Sequence, residues 1–241
     1  MVLKAVIFDF DGTIYNSTKF VYLARKHFFK KFGIDLKKSD FKKYLATPTP
    51  NFIAEINKKY KIKTTVEEMR AFTRPEFVRL IKNKYVPNHG IKKLLDELNK
   101  NKIKVAIASA NRRDVIIYDL KKLGLEKYFK TIVSTEDIKN PKPAPDTYIL
   151  AAGKLKVSPC ECIGVEDGPD GILGMNRAGL KSIAIITEFT TKKDFIKINP
   201  NIIVKSTKEI TLKRLQSLFK YTNQNKCEIL KWLSHDEKII I

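Results

Sequence analysis

The chain has 241 residues, of which 43% are hydrophobic and 30% are charged, and its formal net charge at pH 7 is +21. This length and apolar fraction are sufficient for a full hydrophobic core, and they exclude a disordered chain. No segment reaches the roughly 20 apolar residues that a membrane-spanning helix requires, and the N-terminus does not have the pattern of a signal peptide. We therefore expect a soluble, cytoplasmic protein with no membrane partner.

The positive charge comes mainly from lysine, since the 47 basic residues are 39 Lys and 8 Arg. The lysines are spread along the whole chain, whereas nucleic-acid-binding proteins tend to cluster their basic residues and to favour Arg. We interpret the charge as a solvated lysine surface. The alternative is a surface that attracts anionic substrates or binds polyanions without specificity.

Six apolar segments are predicted to be strands. The first, at residues 3–9, is almost continuously apolar and ends in an acid, which is typical of a strand buried on both faces of a parallel sheet. The others lie at residues 104–109, 131–134, 162–167, 181–186 and 201–204. Helical patterns alternate with them at residues 90–100, 114–123, 145–155 and 171–178. This alternation predicts a doubly wound α/β fold.

One region interrupts the alternation, because residues 17–85 show helical patterns and no strand. Ser17 is predicted to cap the first helix, Thr65 and Glu68 form a capping box, and Pro75 is predicted to start a helix. A helical insert after the first strand predicts a separate cap domain. We place the cap at residues 16–85 and the core at residues 1–15 and 86–241.

The segment Asp9-Phe10-Asp11-Gly12-Thr13 follows the first strand. In open α/β sheets, ligands bind beyond the carboxyl ends of the strands. Alternation along an extended chain points Asp9 and Asp11 the same way, and Gly12 then allows a sharp turn. The alternative is a hairpin turn, but a helix rather than a second strand is predicted to follow.

Three further motifs end or follow other predicted strands. Ser109 offers a hydroxyl to an anion, although a serine at this place is more often a simple helix cap. Lys142 lies between two prolines, and Glu166 and Asp167 end the segment CIGVED. Each motif is weak by itself. Because all of them belong to one parallel sheet, the predicted fold brings them together.

These four motifs, in this order, resemble those of the haloacid dehalogenase superfamily, and the resemblance covers residues 3–186. The family pattern is Asp-x-Asp-Gly-Thr, then a strand-end Ser, then a Lys before Pro, then an acidic pair. The stretches NPKPAPDTYILAA and IGVEDGPDGI resemble in particular the β-phosphoglucomutases and the sugar or nucleotide phosphatases with helical caps. The resemblance implies a Rossmann-like core with a helical cap.

The resemblance also implies an activity, which is Mg²⁺-dependent hydrolysis of small phosphomonoesters such as sugar phosphates or nucleotides. The metal ligands would be the Asp9 carboxylate, the Asp11 backbone carbonyl and Asp167, with Glu166 close by. Asp9 would attack phosphorus and form an aspartyl phosphate, while Asp11 would act as the acid and then the base.

The transferred phosphoryl group would be bound by Ser109, the backbone at Ala110, and Lys142. The residues that follow the second motif are candidates for contact with the rest of the substrate. A solvated helix start is the alternative for the two arginines among them. These candidates are Asn111, Arg112 and Arg113.

The sequence departs from the β-phosphoglucomutase pattern in the predicted cap. Those mutases usually carry a cap-loop Arg that binds the second phosphate, and residues 46–52 contain no basic residue. Arg74, Arg79 or Lys19 could substitute for it. We therefore favour a phosphatase, with a mutase as the alternative and a polyanion-binding protein as a more remote one. We expect a monomer that binds a small phosphomonoester and does not recognise nucleic acid specifically.

Overall fold

The computed structural model of the protein describes residues 2–43, 45 and 49–219. Six strands form one sheet in the order β3-β2-β1-β4-β5-β6. Every pairing in the sheet is parallel. The strands are β1 Ala5–Phe8, β2 Lys104–Ala108, β3 Thr131–Val133, β4 Cys162–Glu166, β5 Lys181–Ile185 and β6 Ile202–Val204. All six strands predicted from the sequence are confirmed.

Helices cover both faces of the sheet, so the doubly wound α/β prediction is confirmed. The alternation along β1 shows that both faces are covered, because Val6 and Phe8 pack in one apolar cluster while Ala5 and Ile7 pack in another. A strand buried on both faces must be apolar throughout. The helices around the sheet are α5 Ile91–Lys100, α6 Arg113–Leu123, α7 Asp146–Lys154, α8 Pro169–Arg177, α9 Lys192–Ile196 and α10 Leu212–Ser217.

The strand order changes direction at β1. The next two strands in the chain, β2 and β3, lie on one side of β1, and β4, β5 and β6 lie on the other side. Ile7 of β1 consequently has Ala106 of β2 on one side and Gly164 of β4 on the other. The crevice at the carboxyl end of such a switch point is where open α/β sheets bind ligands.

Helices fill the region between β1 and α5. They are α1 Ser17–Lys30, α2 Lys38–Lys43, α3 Thr49–Tyr60 and α4 Val66–Ile81. We call these four helices the insert. The insert has its own apolar cluster, which includes Phe29, Phe41 and Phe52, but Phe20 and Ile81 pack in the cluster on the sheet. The division into a cap at residues 16–85 and a core stays a prediction.

Two local predictions in the insert are wrong. Asn16 caps α1, because its side chain accepts a hydrogen bond from the Lys19 N–H, while Ser17 is the first helical residue. The Ser17 hydroxyl instead donates a hydrogen bond to Asp11. Pro75 lies inside α4 rather than at its start, because the helix has already begun at the Thr65 capping box.

Among the described ranges, none of the helices combines the length and the apolar character needed to cross a lipid bilayer. The C-terminal residues 220–241 lie outside the described residues, as do residues 46–48 of the predicted cap loop. What the sequence predicts for those segments therefore stays a prediction.

Candidate active site

The end of β1 places Asp9 at the centre of the site. Its N–H donates to the Val165 carbonyl at 2.9 Å, which extends the pairing with β4 by one residue. Its buried carboxylate lies 2.5 Å from the Lys142 ammonium. The same ammonium lies 2.8 Å from Glu166. One cation therefore bridges two buried carboxylates that come from neighbouring strands.

Asp9, Glu166 and Asp167 form an acidic cluster, with one carboxylate oxygen of each within 4.8 Å of the others. Burial raises the pKa of Asp9 well above its usual value and the charge of Glu166 raises it further, although Lys142 acts in the opposite direction. The pKa of Asp167 is raised for the same two reasons, burial first. Clustered carboxylate oxygens of this kind fit Mg²⁺, a hard cation whose charge would relieve their mutual repulsion.

The two acids that end β4 have different surroundings. Glu166 accepts hydrogen bonds from the Tyr148 hydroxyl at 2.8 Å and the Gly168 N–H at 3.0 Å, in addition to its contact with Lys142. Asp167 is only 9% exposed, yet its carboxylate accepts no hydrogen bond from the residues that the structure describes. A buried carboxylate without a donor needs another partner, so Asp167 is the better candidate for a metal ligand.

A tight loop between β1 and α1 lies directly against Asp167. Gly12 has a φ of +83°, and a Cβ at this position would be 2.0 Å from the Asp167 carboxylate. Asn88 fixes the loop, because its amide donates to the carbonyls of Gly12 at 2.8 Å and Thr13 at 3.0 Å. Asn88 was not identified from the sequence. The sequence predicted only that the core resumes at residue 86, two residues before Asn88.

Asp11 belongs to the same loop and lines a cavity. The Ser17 hydroxyl donates to one of its carboxylate oxygens at 2.6 Å, and the Asn111 amide donates to the other at 3.1 Å. Burial raises the pKa of Asp11, and these two hydrogen bonds lower it in part. A carboxyl group with a raised pKa, at the wall of a cavity, can give and take a proton.

The end of β2 brings the second motif beside β1. Ser109 is buried, and its hydroxyl accepts a hydrogen bond from the Asn111 N–H at 3.0 Å. Ala110 is exposed between them. The structure therefore places Ser109, Ala110 and Asn111 at the same edge of the sheet as Asp9 and Asp11, as the sequence predicted.

The two arginines at the start of α6 point to different places. Arg112 lines the cavity, and its guanidinium lies 3.0 Å from Asp114. Arg113 is not among the cavity-lining residues, and its guanidinium binds Asp137 at 2.5 Å and the Ile132 carbonyl at 3.1 Å. The structure brings Arg112 to the candidate site and does not bring Arg113 there.

The cavity has a volume of about 700 Å³ and lies between α1 and α4 of the insert and α6, which packs beside the sheet. This volume is in the range of small-molecule sites. Tyr15 and Asp119 form part of its wall, with the tyrosine hydroxyl donating to the carboxylate. Sequence reasoning missed both, because the partners are far apart in the chain and neither belongs to a motif.

The parallel sheet and the acidic cluster at its switch point define an open α/β protein with a candidate metal site at the carboxyl end of β1. The model of the haloacid dehalogenase-like hydrolase family matches residues 6–185, which is most of the chain. The protein belongs to this family and is an enzyme of it. The membership predicted from the four motifs is confirmed.

The relatives include both phosphatases and mutases. The chain is 28% identical to the β-phosphoglucomutase of Bacillus subtilis over 222 residues, which cover 88% of this chain and 94% of the relative. It is 25% identical to the phosphorylated carbohydrates phosphatase of Thermotoga maritima over 181 residues, which cover 75% and 84%. A crystal structure of β-phosphoglucomutase from Clostridium difficile has a TM-score of 0.73 and 28% identity, with 90% of this chain and 96% of that chain covered.

Proposed function

We propose that the protein is a Mg²⁺-dependent phosphatase that hydrolyses small phosphomonoesters through an aspartyl phosphate on Asp9. The observation that supports the proposal most directly is the buried contact of Asp9 with Lys142, inside a cluster that includes Glu166 and Asp167. The activity named for the Thermotoga maritima relative agrees with it.

Lys142 keeps Asp9 in position for attack on phosphorus. Burial lowers the pKa of Lys142, but the charges of Asp9 and Glu166 outweigh burial and raise it well above its usual value. The side chain is therefore an ammonium at neutral pH. It restrains the Asp9 carboxylate, and it offers positive charge to the oxygens of the phosphoryl group, as Ser109 and the backbone at Ala110 offer hydrogen bonds.

The reaction has two steps, each a displacement at phosphorus. In the first, an Asp9 oxygen bonds to phosphorus while the bond to the leaving oxygen breaks, and Asp11 gives that oxygen a proton. In the second, water bonds to phosphorus while the bond to Asp9 breaks, and Asp11 takes a proton from the water. The raised pKa of Asp11 suits both roles.

A bound Mg²⁺ would be held by Asp9, Asp167 and the Asp11 carbonyl, and it would neutralise charge between the nucleophile and the phosphate. Asp167 fits a ligand because no described residue donates a hydrogen bond to its carboxylate. Glu166 fits a supporting role, since Tyr148 and Gly168 already engage its oxygens.

A mutase of the β-phosphoglucomutase type is the second candidate, and the similarity to the Bacillus subtilis enzyme over 88% of the chain favours it. A mutase must keep water away from its aspartyl phosphate and hold a phosphate at both ends of the sugar. The predicted cap loop at residues 46–52 has no basic residue for that purpose. We therefore prefer transfer to water.

One experiment tests both the Mg²⁺ dependence and the choice between a phosphatase and a mutase. The protein is incubated with a panel of phosphomonoesters that includes β-glucose 1-phosphate with a trace of the 1,6-bisphosphate, and free phosphate and glucose 6-phosphate are followed together. We expect phosphate release that stops in excess chelator and returns when Mg²⁺ is added back. Full activity in excess chelator would rule out the metal. Glucose 6-phosphate formed much faster than free phosphate would establish the mutase instead.

A further inference from the structure

Three arginines of the insert line the cavity, namely Arg25 on α1 and Arg70 and Arg74 on α4. Arg70 and Arg74 are four residues apart and therefore share one face of their helix. Within the described part of the chain, none of the three forms an ion pair or a hydrogen bond through its guanidinium. On the same helix, Arg79 does pair with Glu76, at 2.7 Å.

Arg25 is the most buried of the three and has the least suitable surroundings for a cation. Its guanidinium lies 4.7 Å from the ring centre of Phe52 and 5.5 Å from that of Phe41. Aromatic rings attract the charge but cannot accept the five N–H groups of a guanidinium as a carboxylate would. Burial, and then the charge of Arg70, lower the pKa of Arg25 to about 10. Like charges are thus gathered here without an anion between them.

The acids that line the cavity do not supply that anion. Asp114 pairs with Arg112 at 3.0 Å, and Asp119 accepts a hydrogen bond from Tyr15. Asp11 accepts hydrogen bonds from Ser17 and Asn111. The guanidinium groups of Arg25, Arg70 and Arg74 therefore line a cavity in which none of the described carboxylates is left unpaired.

Arg25 lies well away from the reacting end of the cavity. Ser17, at the start of α1, contacts Asp11 at 2.6 Å, and Arg25 is eight residues further along the same helix. At 1.5 Å per residue, the two positions are about 12 Å apart along the helix axis. The cavity thus has a reacting end at Asp11 and a cationic end in the insert.

We propose that Arg25, Arg70 and Arg74 form an anion-binding subsite, and that the substrate is a phosphomonoester with a second acidic group, a carboxylate or a second phosphate, at its far end. The proposal rests on the proposed phosphatase function and narrows its substrate class. Guanidinium groups bind both kinds of oxyanion through paired, charge-assisted hydrogen bonds.

This assignment also separates the three substitutes that the sequence offered for the missing cap-loop arginine. Arg74 lines the cavity. Arg79 is engaged by Glu76, and neither Arg79 nor Lys19 is among the cavity-lining residues. Arg25, which the sequence did not single out, is the residue on which the subsite depends most, because it is the least exposed to water.

The test uses three substrates that share one carbon chain and differ only at the far end: propyl phosphate, 3-phosphooxypropionate and propane-1,3-diol bisphosphate. The value of kcat/KM for each is measured for the unaltered protein, for Arg25→Met and for the matched control Arg79→Met. Because Arg25 is partly buried, the double variant Arg70→Met/Arg74→Met, with two exposed positions, is measured as well, and all variants are checked by thermal unfolding.

We expect one of the two acidic substrates to exceed propyl phosphate by at least about tenfold in kcat/KM, which a single charge-assisted pair provides. That ratio should fall about tenfold in Arg25→Met and in the double variant, mainly through KM, and stay unchanged in Arg79→Met. The acidic substrate with the higher kcat/KM identifies the group that binds the subsite as a carboxylate or a phosphate. Equal ratios in all variants would overturn the subsite but not the phosphatase. Phosphate release from none of the three, in Mg²⁺, would instead count against the phosphatase itself.

Discussion

Replacement of Asp9 by Asn is expected to lower turnover by at least about 10³-fold, as is usual for the loss of a nucleophile. The amide has nearly the shape of the carboxylate but cannot form the acyl phosphate. The protein should stay folded, because the backbone bond from residue 9 to Val165 is unaffected and Lys142 keeps Glu166 as its partner. The variant also removes one charge from a crowded acidic cluster.

The measurement is kcat on the best phosphomonoester of a panel, together with the thermal unfolding midpoint. The matched control is Asp35→Asn, since Asp35 is 75% exposed and pairs with Lys26 on the surface. We expect the control to keep the activity and the stability of the unaltered protein. Turnover of Asp9→Asn within tenfold of that control would remove Asp9 from the mechanism.

Lys142→Met is expected to damage both stability and activity. It leaves Asp9 and Glu166, two buried carboxylates, without the cation that bridges them. Breaking a buried pair in this way costs about 3–5 kcal/mol of unfolding free energy. Turnover should fall at least about 10²-fold, because a charged donor to the phosphoryl oxygens is lost.

The stability of Lys142→Met is measured by urea unfolding in excess chelator, so that no metal ion replaces the missing cation, and its turnover is measured in saturating Mg²⁺. Lys121→Met is the control, because Lys121 is an exposed residue of α6. A surface substitution of this kind changes the unfolding free energy by less than about 0.5 kcal/mol. If Lys142→Met behaved like Lys121→Met in both measurements, the bridging role of Lys142 would be wrong.

The fold could be predicted from the sequence because each buried strand is short, apolar and followed by a helical pattern. The residues at the strand ends could be predicted for the same reason. Once β1, β2 and β4 are neighbours in a parallel sheet, Asp9, Ser109 and Asp167 must lie at one edge of it. Asp11 follows from its place two residues after Asp9.

The remaining contributions to the site could not be predicted, because they depend on contacts between distant segments. Asn88 is 76 residues from Gly12, whose carbonyl it binds, and Tyr148 of α7 donates a hydrogen bond to Glu166 of β4. Arg25 lies in a helix that contains no motif. Only the tertiary structure shows that it lines the cavity together with residues of α4. Pro75 misled the prediction because proline is more common at a helix start than inside one.

The stereochemistry at phosphorus tests the central claim most directly, because it does not require the aspartyl phosphate to accumulate. The substrate is a phosphorothioate monoester made chiral with oxygen isotopes, and it is hydrolysed in isotopically labelled water. Each in-line displacement inverts the configuration at phosphorus. Attack by Asp9 followed by attack by water therefore predicts net retention in the thiophosphate product. Net inversion would show a single displacement by water and would contradict the account.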